Sequence, residues 1–220
     1  MSFSIAIDGP AGAGKSTIAK RIAEKKGYVY IDTGAMYRAM AYYFIQNKIS
    51  PDDQKKISET CQNVEITIKH DENGMQMVIL NGENVNGLIR TEEVGNMASA
   101  SSVNSNVRKK LVELQQKLAA VTNVVMDGRD IGTCVLPGAD LKIYLTASVS
   151  VRAGRRYKEL TEKGMACELK QIEQDISERD NRDMNREISP LRQAEDAVLV
   201  DTSDMTIEEA VEKILALCNF

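Results

Sequence analysis

Two spacings of apolar residues alternate along this chain. Short apolar runs at residues 4–8, 28–32, 124–127, 141–145 and 197–201 read as strands. Between them apolar positions recur at helical intervals, as in Ile18, Ala19, Ile22 and Ala23, or Ile207, Ala210, Val211, Ile214, Leu215 and Cys218. The last of these helices opens with Thr206-x-x-Glu209, the form of a capping box. Short strands bounded by helices predict an α/β fold, with a five-stranded parallel sheet covered on both faces. Four of the five strands end in aspartate (Asp8, Asp32, Asp127 and Asp201). That places carboxylates at the carboxyl edge, where open α/β sheets bind ligands.

One region breaks the rhythm. Val64, Ile66 and Ile68 alternate with Glu65, Thr67 and Lys69; Asn73-Gly74, an apolar stretch at 75–80 and Asn81-Gly82 follow. Period-two patterning around Asn-Gly turns predicts a small antiparallel β insert at residues 60–90. We expect it within a single domain spanning 1–220. Residues 51–96 carry nine acids against four bases, so the insert is a poor phosphate grip by itself.

Chemistry enters at Gly9-Pro10-Ala11-Gly12-Ala13-Gly14-Lys15-Ser16, followed by Thr17, a full match to G-x-x-x-x-G-K-[ST] between a strand and a helix. Glycines let successive backbone N–H groups turn inward around phosphate oxygens, and the helix N-terminus adds positive potential. Lys15 is expected to reach the β- and γ-phosphates, and the Ser16 hydroxyl to ligate Mg²⁺. Asp127, at the end of an apolar strand, suits a carboxylate that orders Mg²⁺ or its waters. A nucleoside triphosphate is the expected ligand.

Composition then narrows the partners. A net charge of −4 gives no global attraction to nucleic acid or to an anionic membrane. Tryptophan is absent and aromatics are 5%, so stacking platforms for single strands are scarce. Cys61, Cys134, Cys167 and Cys218 lie far apart, and His70 is the only histidine. A zinc site, a disulfide framework and a histidine base are therefore not expected. With no secretory leader and no membrane-length apolar run, a cytoplasmic protein, monomeric, is the expectation.

Seven of the twelve arginines fall between residues 152 and 192: Arg152, Arg155, Arg156, Arg179, Arg182, Arg186 and Arg192. Nine acids are interspersed, so the plain reading is a solvated helix with ion pairs, such as Asp175 with Arg179 and Glu178 with Arg182. Behind a phosphate-binding loop a second reading gains weight, because arginine matches phosphate in a bidentate fork. We expect an arginine-rich helical lid at 150–167, with Arg152, Arg155 and Arg156 as candidates to neutralise charge in flight. Arg179, Asp183 and Arg186 stand at i, i+4 and i+7, which predicts one helical face.

Three further strings, "DTGAMYR" at 32–38, "DGRDIGT" at 127–133 and "ERDNRDMNR" at 178–186, follow the GPAGAGKS loop in an order that resembles the bacterial cytidylate kinases. "GLIRTEEV" at 87–94 is also similar to that family, and the likeness spans nearly the whole chain. The resemblance implies a three-layer P-loop kinase fold, with the insert on the monophosphate-binding side and transfer of a phosphoryl group from ATP to CMP or dCMP. It implies Thr33 and Arg38 in the monophosphate site, Ser99 and Arg108 on the nucleotide, and Arg129 and Asp130 around the cytosine. It also implies Arg179, Asp183 and Arg186 on the acceptor's sugar and phosphate. Lys15, Arg129, Arg152, Arg156 and Arg186 are the candidate catalytic set. The family often has serine at Thr33, and the hydroxyl survives. Asp8 and Asp32 keep no role beyond possible strand-end caps; Met36 and Tyr37 read as packing residues. Two other readings stay open: a kinase for another small acceptor such as UMP, and a nucleotide-dependent regulatory module.

Overall fold

The computed structural model describes residues 2–72 and 76–218. Eight strands and eight helices follow one another as β1 (Ser4–Asp8), α1 (Lys15–Lys26), β2 (Val29–Asp32), α2 (Thr33–Gln46), α3 (Gln54–Thr60), β3 (Ile66–His70), β4 (Gln76–Leu80) and β5 (Glu83–Asn84), then α4 (Glu92–Ser101), α5 (Ser105–Ala119), β6 (Val124–Gly128), β7 (Leu141–Thr146), α6 (Val149–Glu162), α7 (Leu169–Asn185), β8 (Val198–Asp201) and α8 (Ile207–Leu217), counted among the described residues. The predicted five-stranded parallel sheet is present, in the order β2-β6-β1-β7-β8, with a three-stranded antiparallel sheet β3-β4-β5. The chain sorts into two compact units, one of residues Phe3–Tyr28 and Asn123–Phe220, the other of Val29–Thr122.

In the first unit the sheet is an apolar core. Ile5, Ile7, Val124, Val125, Met126, Ile143, Leu145 and Val200 are buried, the near-continuous apolar runs that a doubly covered parallel sheet needs. Register carries that core to the chemistry: Ile7 pairs with Asp127 and Ile143, and Asp8 with Gly128 and Tyr144. β1 and β6 therefore finish level and β7 runs two residues further, to Thr146, so the loops after all three leave from the same edge of the sheet. Helix α1 buries Ile18, Ala19, Ile22 and Ala23 as its period predicts. Helix α8 carries the predicted capping box, in which the Thr206 hydroxyl accepts from Glu209 N and the Glu209 carboxylate accepts from Thr206 N. It buries Ala210, Val211 and Ile214, whereas Ile207, in its first turn, stays exposed.

In the second unit the predicted β insert forms. Ile66 pairs with Leu80 and Ile68 with Val78. The Asn81-Gly82 link has positive φ at both residues, 48° and 89°, as a type I′ hairpin turn requires. The Asn73-Gly74 turn lies outside the described residues. Val64 is buried but precedes the strand, because a 3₁₀ turn at Cys61–Asn63 occupies the approach.

The arginine-rich segment forms α6 and α7. Along α7 the carboxylates of Asp175 and Glu178, which the plain reading set beside Arg179 and Arg182, accept from Gln171 Nε2 at 2.8 Å and Gln174 Nε2 at 2.9 Å. No helix among the described residues is long and apolar enough to cross a membrane.

Candidate active site

The loop between β1 and α1 is shaped by three glycines with positive φ, Gly9 (149°), Gly12 (75°) and Gly14 (90°). At Gly9 the fit is steric as well: a Cβ there would stand 1.9 Å from the Leu145 carbonyl oxygen. Gly14 is the N-cap of α1, and no side chain caps that helix. Its first amides are left for another acceptor, the arrangement that takes an anion at a helix N-terminus.

Lys15 begins α1 and is 5% exposed. Its ammonium donates to the Pro10 carbonyl, 2.7 Å away in the same loop. Burial above all, then the charge of Arg129, pulls Lys15 down to about 7, with Asp127 and Asp8 opposing. An ammonium so poorly compensated gains strongly from an arriving polyanion. Beside it, Ser16 Oγ donates to Asp127 Oδ2 at 3.0 Å.

The strand β6 delivers Arg129 and Asp130 at the start of a wide π-type turn, Ile131–Val135. Arg129 Nε donates to Asp183 Oδ2 at 2.9 Å. Burial would raise the Asp183 carboxyl, but Arg129 beside it, with Arg179 and Arg186, holds it below the usual carboxylate range. Arg186 Nη2 lies 3.5 Å from Asp130 Oδ1, both side chains buried. Arg179 and Arg129 both act electrostatically on Lys15. The structure thus gathers Lys15, Asp127, Arg129, Asp130, Arg179, Asp183 and Arg186 in one unit.

The expected single helical face holds for Arg179 and Asp183 only. Helix α7 stops at Asn185, and Arg186 is extended, with φ −65° and ψ 141°. The Asp183 carbonyl, which another helical turn would have used, accepts from Leu191 N at 2.8 Å instead. Arg186 Nε donates to Ser189 O at 2.6 Å, and its fork turns toward Asp130.

The three arginines expected in a lid separate by position. Arg152 is buried; its Nε donates to Ala147 O at 2.8 Å, Nη1 to Ala11 O of the phosphate loop at 2.9 Å, and Nη2 meets Asp180 Oδ2 at 2.6 Å. Arg155 donates to Thr202 O at 2.7 Å. Arg156 is exposed and pairs with Glu159 at 2.8 Å.

In the second unit, Asp32 is more than a strand end. Its Oδ1 accepts from Ala35 N at 2.9 Å and so caps α2, while its Oδ2 accepts from Arg90 Nη2 at 2.7 Å. Thr33 is buried at the start of that helix. Arg38 Nη1 donates to Ile89 O and Thr91 O, each at 3.3 Å. Arg108 is buried with its guanidinium 5.8 Å from the centroid of the Tyr37 ring. Tyr37, read from sequence as packing, therefore seats a candidate binding arginine. Ser99 lies half-buried on α4. Asp180 and Arg90 are the contributors that the sequence reading passed over; Asp180 stood inside the "ERDNRD" string and Arg90 inside "GLIRTEEV".

A parallel sheet whose first strand feeds a phosphate loop, with a carboxylate on the neighbouring strand and arginines converging on the loop lysine, defines a P-loop phosphotransferase. The fold matches that of the solved shikimate kinase from Bacteroides thetaiotaomicron, at 13% identity and a TM-score of 0.50, covering 99% of both chains. The sequence profile of cytidylate kinase matches residues 5–219, and the chain belongs to that family. It is 51% identical to the cytidylate kinase of Caldicellulosiruptor bescii over 98% of this chain and 95% of that protein. It is 49% identical to the cytidylate kinase of Bacillus cereus over 99% and 96%.

Proposed function

We propose that this chain transfers the γ-phosphoryl group of ATP to CMP or dCMP, giving ADP and the nucleoside diphosphate, in pyrimidine nucleotide metabolism. The observation that carries the choice of acceptor is the buried Asp130 with Arg186 at 3.5 Å, beside the pair of Arg129 and Asp183. An ionised carboxylate only accepts hydrogen bonds; cytosine offers an N4 amino donor there, and uracil a carbonyl acceptor. Asp130 favours the first and repels the second.

In this reading, residues 9–17 hold the triphosphate, and Lys15 swings from Pro10 to the transferring phosphate. Thr33, Arg38, Ser99 and Arg108 are assigned to the monophosphate nucleotide, and Arg179, Asp183 and Arg186 to its sugar and phosphate. Ser16 and Asp127 are the hard-oxygen pair that suits Mg²⁺, and among the described residues there is no cluster of three or more acidic, histidine or cysteine ligands. That fits an ion held by few protein oxygens together with phosphates and water. Mg²⁺ would neutralise charge on the β- and γ-oxygens when bound. An acceptor phosphate is already ionised at pH 7 and needs no strong base, so positioning and charge neutralisation carry the rate. We assign the insert at 60–90 to the monophosphate side and the stretch at 150–167 to a lid that excludes water, in one kinase domain working as a cytoplasmic monomer.

The test is ADP release from ATP with CMP, dCMP, UMP, AMP or GMP as acceptor. Turnover led by CMP and dCMP is expected; ADP release that ignores the acceptor would make the chain a nucleotide switch instead. Asp130→Asn keeps the shape but offers a donor. It should lower kcat/KM on CMP and narrow the gap between CMP and UMP, because unsatisfied buried groups penalise a mismatched base. An unchanged CMP/UMP ratio would show that this carboxylate does not read the base.

A further inference from the structure

Asp8 is the last residue of β1 and leads directly into Gly9 of the phosphate loop. Its carboxylate accepts two backbone hydrogen bonds across the sheet edge, Oδ1 from Ile131 N at 2.7 Å and Oδ2 from Gly132 N at 2.7 Å. Those two amides immediately follow Arg129 and Asp130. The backbone of Asp8 also pairs in register with Gly128, the residue immediately before them. One residue therefore holds the Arg129-Asp130 segment from both of its ends.

The local geometry requires such a partner. The turn at Ile131–Val135 has its own acceptors for later amides: Cys134 N and Val135 N donate to Asp130 O, at 2.9 and 3.1 Å. Its first amides have no partner within the turn, the usual deficit at a helical N-terminus. No side chain of the turn's own N-cap supplies one. Asp8 does so from another strand. Opposite it, the stem of Lys142 closes the space: a Cβ on Gly132 would lie 3.1 Å from Lys142 Cδ and 3.5 Å from Asp8 Oδ2. Lys142 is itself fixed, donating to Pro137 O and to Asp196. Asp8 keeps this geometry at a cost. Burial pushes its carboxyl up to about 6, and the Gly132 and Ile131 amides only partly oppose that rise.

We infer that Asp8 is a positioning residue for acceptor recognition: its carboxylate clamps the Ile131 and Gly132 amides so that Arg129 and Asp130 project at a fixed height above the phosphate loop. The inference rests on the proposed role of Asp130 in reading the acceptor base. It gives the aspartate before the first loop glycine a task distinct from holding ATP. Misplacing a reactive group by about 1 Å can cost about 100-fold in rate.

The experiment compares wild type with Asp8→Asn. Asparagine keeps the volume but can accept only one of the two N–H groups and turns its own donors toward the other. Four quantities are read: Kd for ATP alone, KM and kcat for the monophosphate that the wild type uses best, and the kcat/KM ratio between that acceptor and the next best. Asp8→Asn should raise the acceptor KM about tenfold or more, shrink the ratio, and leave the ATP Kd within about twofold. Hydrogen exchange should accelerate in the peptide covering 128–136, with the peptide covering 9–17 unchanged. Because the ratio is taken on whichever acceptor the wild type prefers, a preference for a base other than cytosine would sink the CMP assignment and still test the clamp. Where Asp8→Asn does not fold, Asp8→Glu keeps the charge and displaces the carboxylate, and the same shift in ratio is expected. A folded variant with lower thermal stability but an unchanged acceptor ratio and KM would overturn the inference. So would a loss of ATP binding in proportion to the loss of turnover.

Discussion

Lys15→Ala is expected to reduce turnover with every acceptor by about 10²–10³, the usual consequence of losing one preorganised charge contact in a transition state. The loss should fall on kcat, because a charge acting on the transferring phosphate counts most where charge moves. Stability should move the other way. Lys15 is buried among Arg129 and Arg179 and sits at about 7, well below its ordinary value of 10.5. The charged form is therefore penalised in the fold; the penalty is full below about 7 and fades as pH rises toward the unfolded value. Lys15→Ala should thus unfold at higher denaturant than wild type at pH 6, with the difference shrinking by pH 9. Urea titrations at the two pH values, beside steady-state kinetics, check both halves. Near-normal turnover in a folded Lys15→Ala protein would remove the mechanism proposed for the loop.

Asp183→Ala should be strongly destabilising. The carboxylate accepts from Arg129 Nε at 2.9 Å, with both side chains largely buried. Removing it leaves the guanidinium without that partner in a low-dielectric setting, which costs about 3–5 kcal/mol. The pH dependence follows from the direction of the shift. Burial raises the Asp183 carboxyl, but Arg129, Arg179 and Arg186 bring it net below its ordinary value. A depressed carboxylate contributes stability above its unfolded pKa, and the contribution is lost as pH falls through the folded value. The stability gap between wild type and Asp183→Ala should therefore be widest near pH 7 and close below about pH 4, near the unfolded pKa of an aspartate. Kinetically, acceptor KM should rise while ATP affinity holds; a fall in ATP affinity alone would place Asp183 with the other substrate.

Sequence patterning located the five parallel strands to within a residue at either end, because β1, β2, β6 and β7 are largely buried apolar runs that polar loops interrupt sharply. Strand β8, buried only at Val200, keeps the same apolar run before its aspartate. The glycine-rich loop was equally plain, since its geometry demands glycine at fixed positions. The end of α7 was not legible: periodicity continues through Arg186, while the helix is stopped by a distant amide, Leu191 N, taking the Asp183 carbonyl. The committed state of Arg152 was hidden for a similar reason. Its acceptors Ala11 O and Ala147 O are main-chain atoms, which carry no residue signature. Asp8 offered only a strand-end carboxylate to the sequence reader, and its partners lie 123 and 124 residues away.

Arg152 also bears on how the arginine-rich segment is to be dissected. Its planar fork meets a carbonyl of its own helix's approach, a carbonyl of the phosphate loop and the Asp180 carboxylate at once. An ammonium of equal charge is a single point and cannot span the three. Exchanging arginine for lysine therefore conserves the field at this position but dissolves a three-way joint. At Arg156, exposed and, among the described residues, paired with its helical neighbour Glu159, the same exchange should leave the packing almost unchanged. Formal charge is the wrong coordinate for comparing the arginines of this segment; the number of directions in which each one is held is the right one.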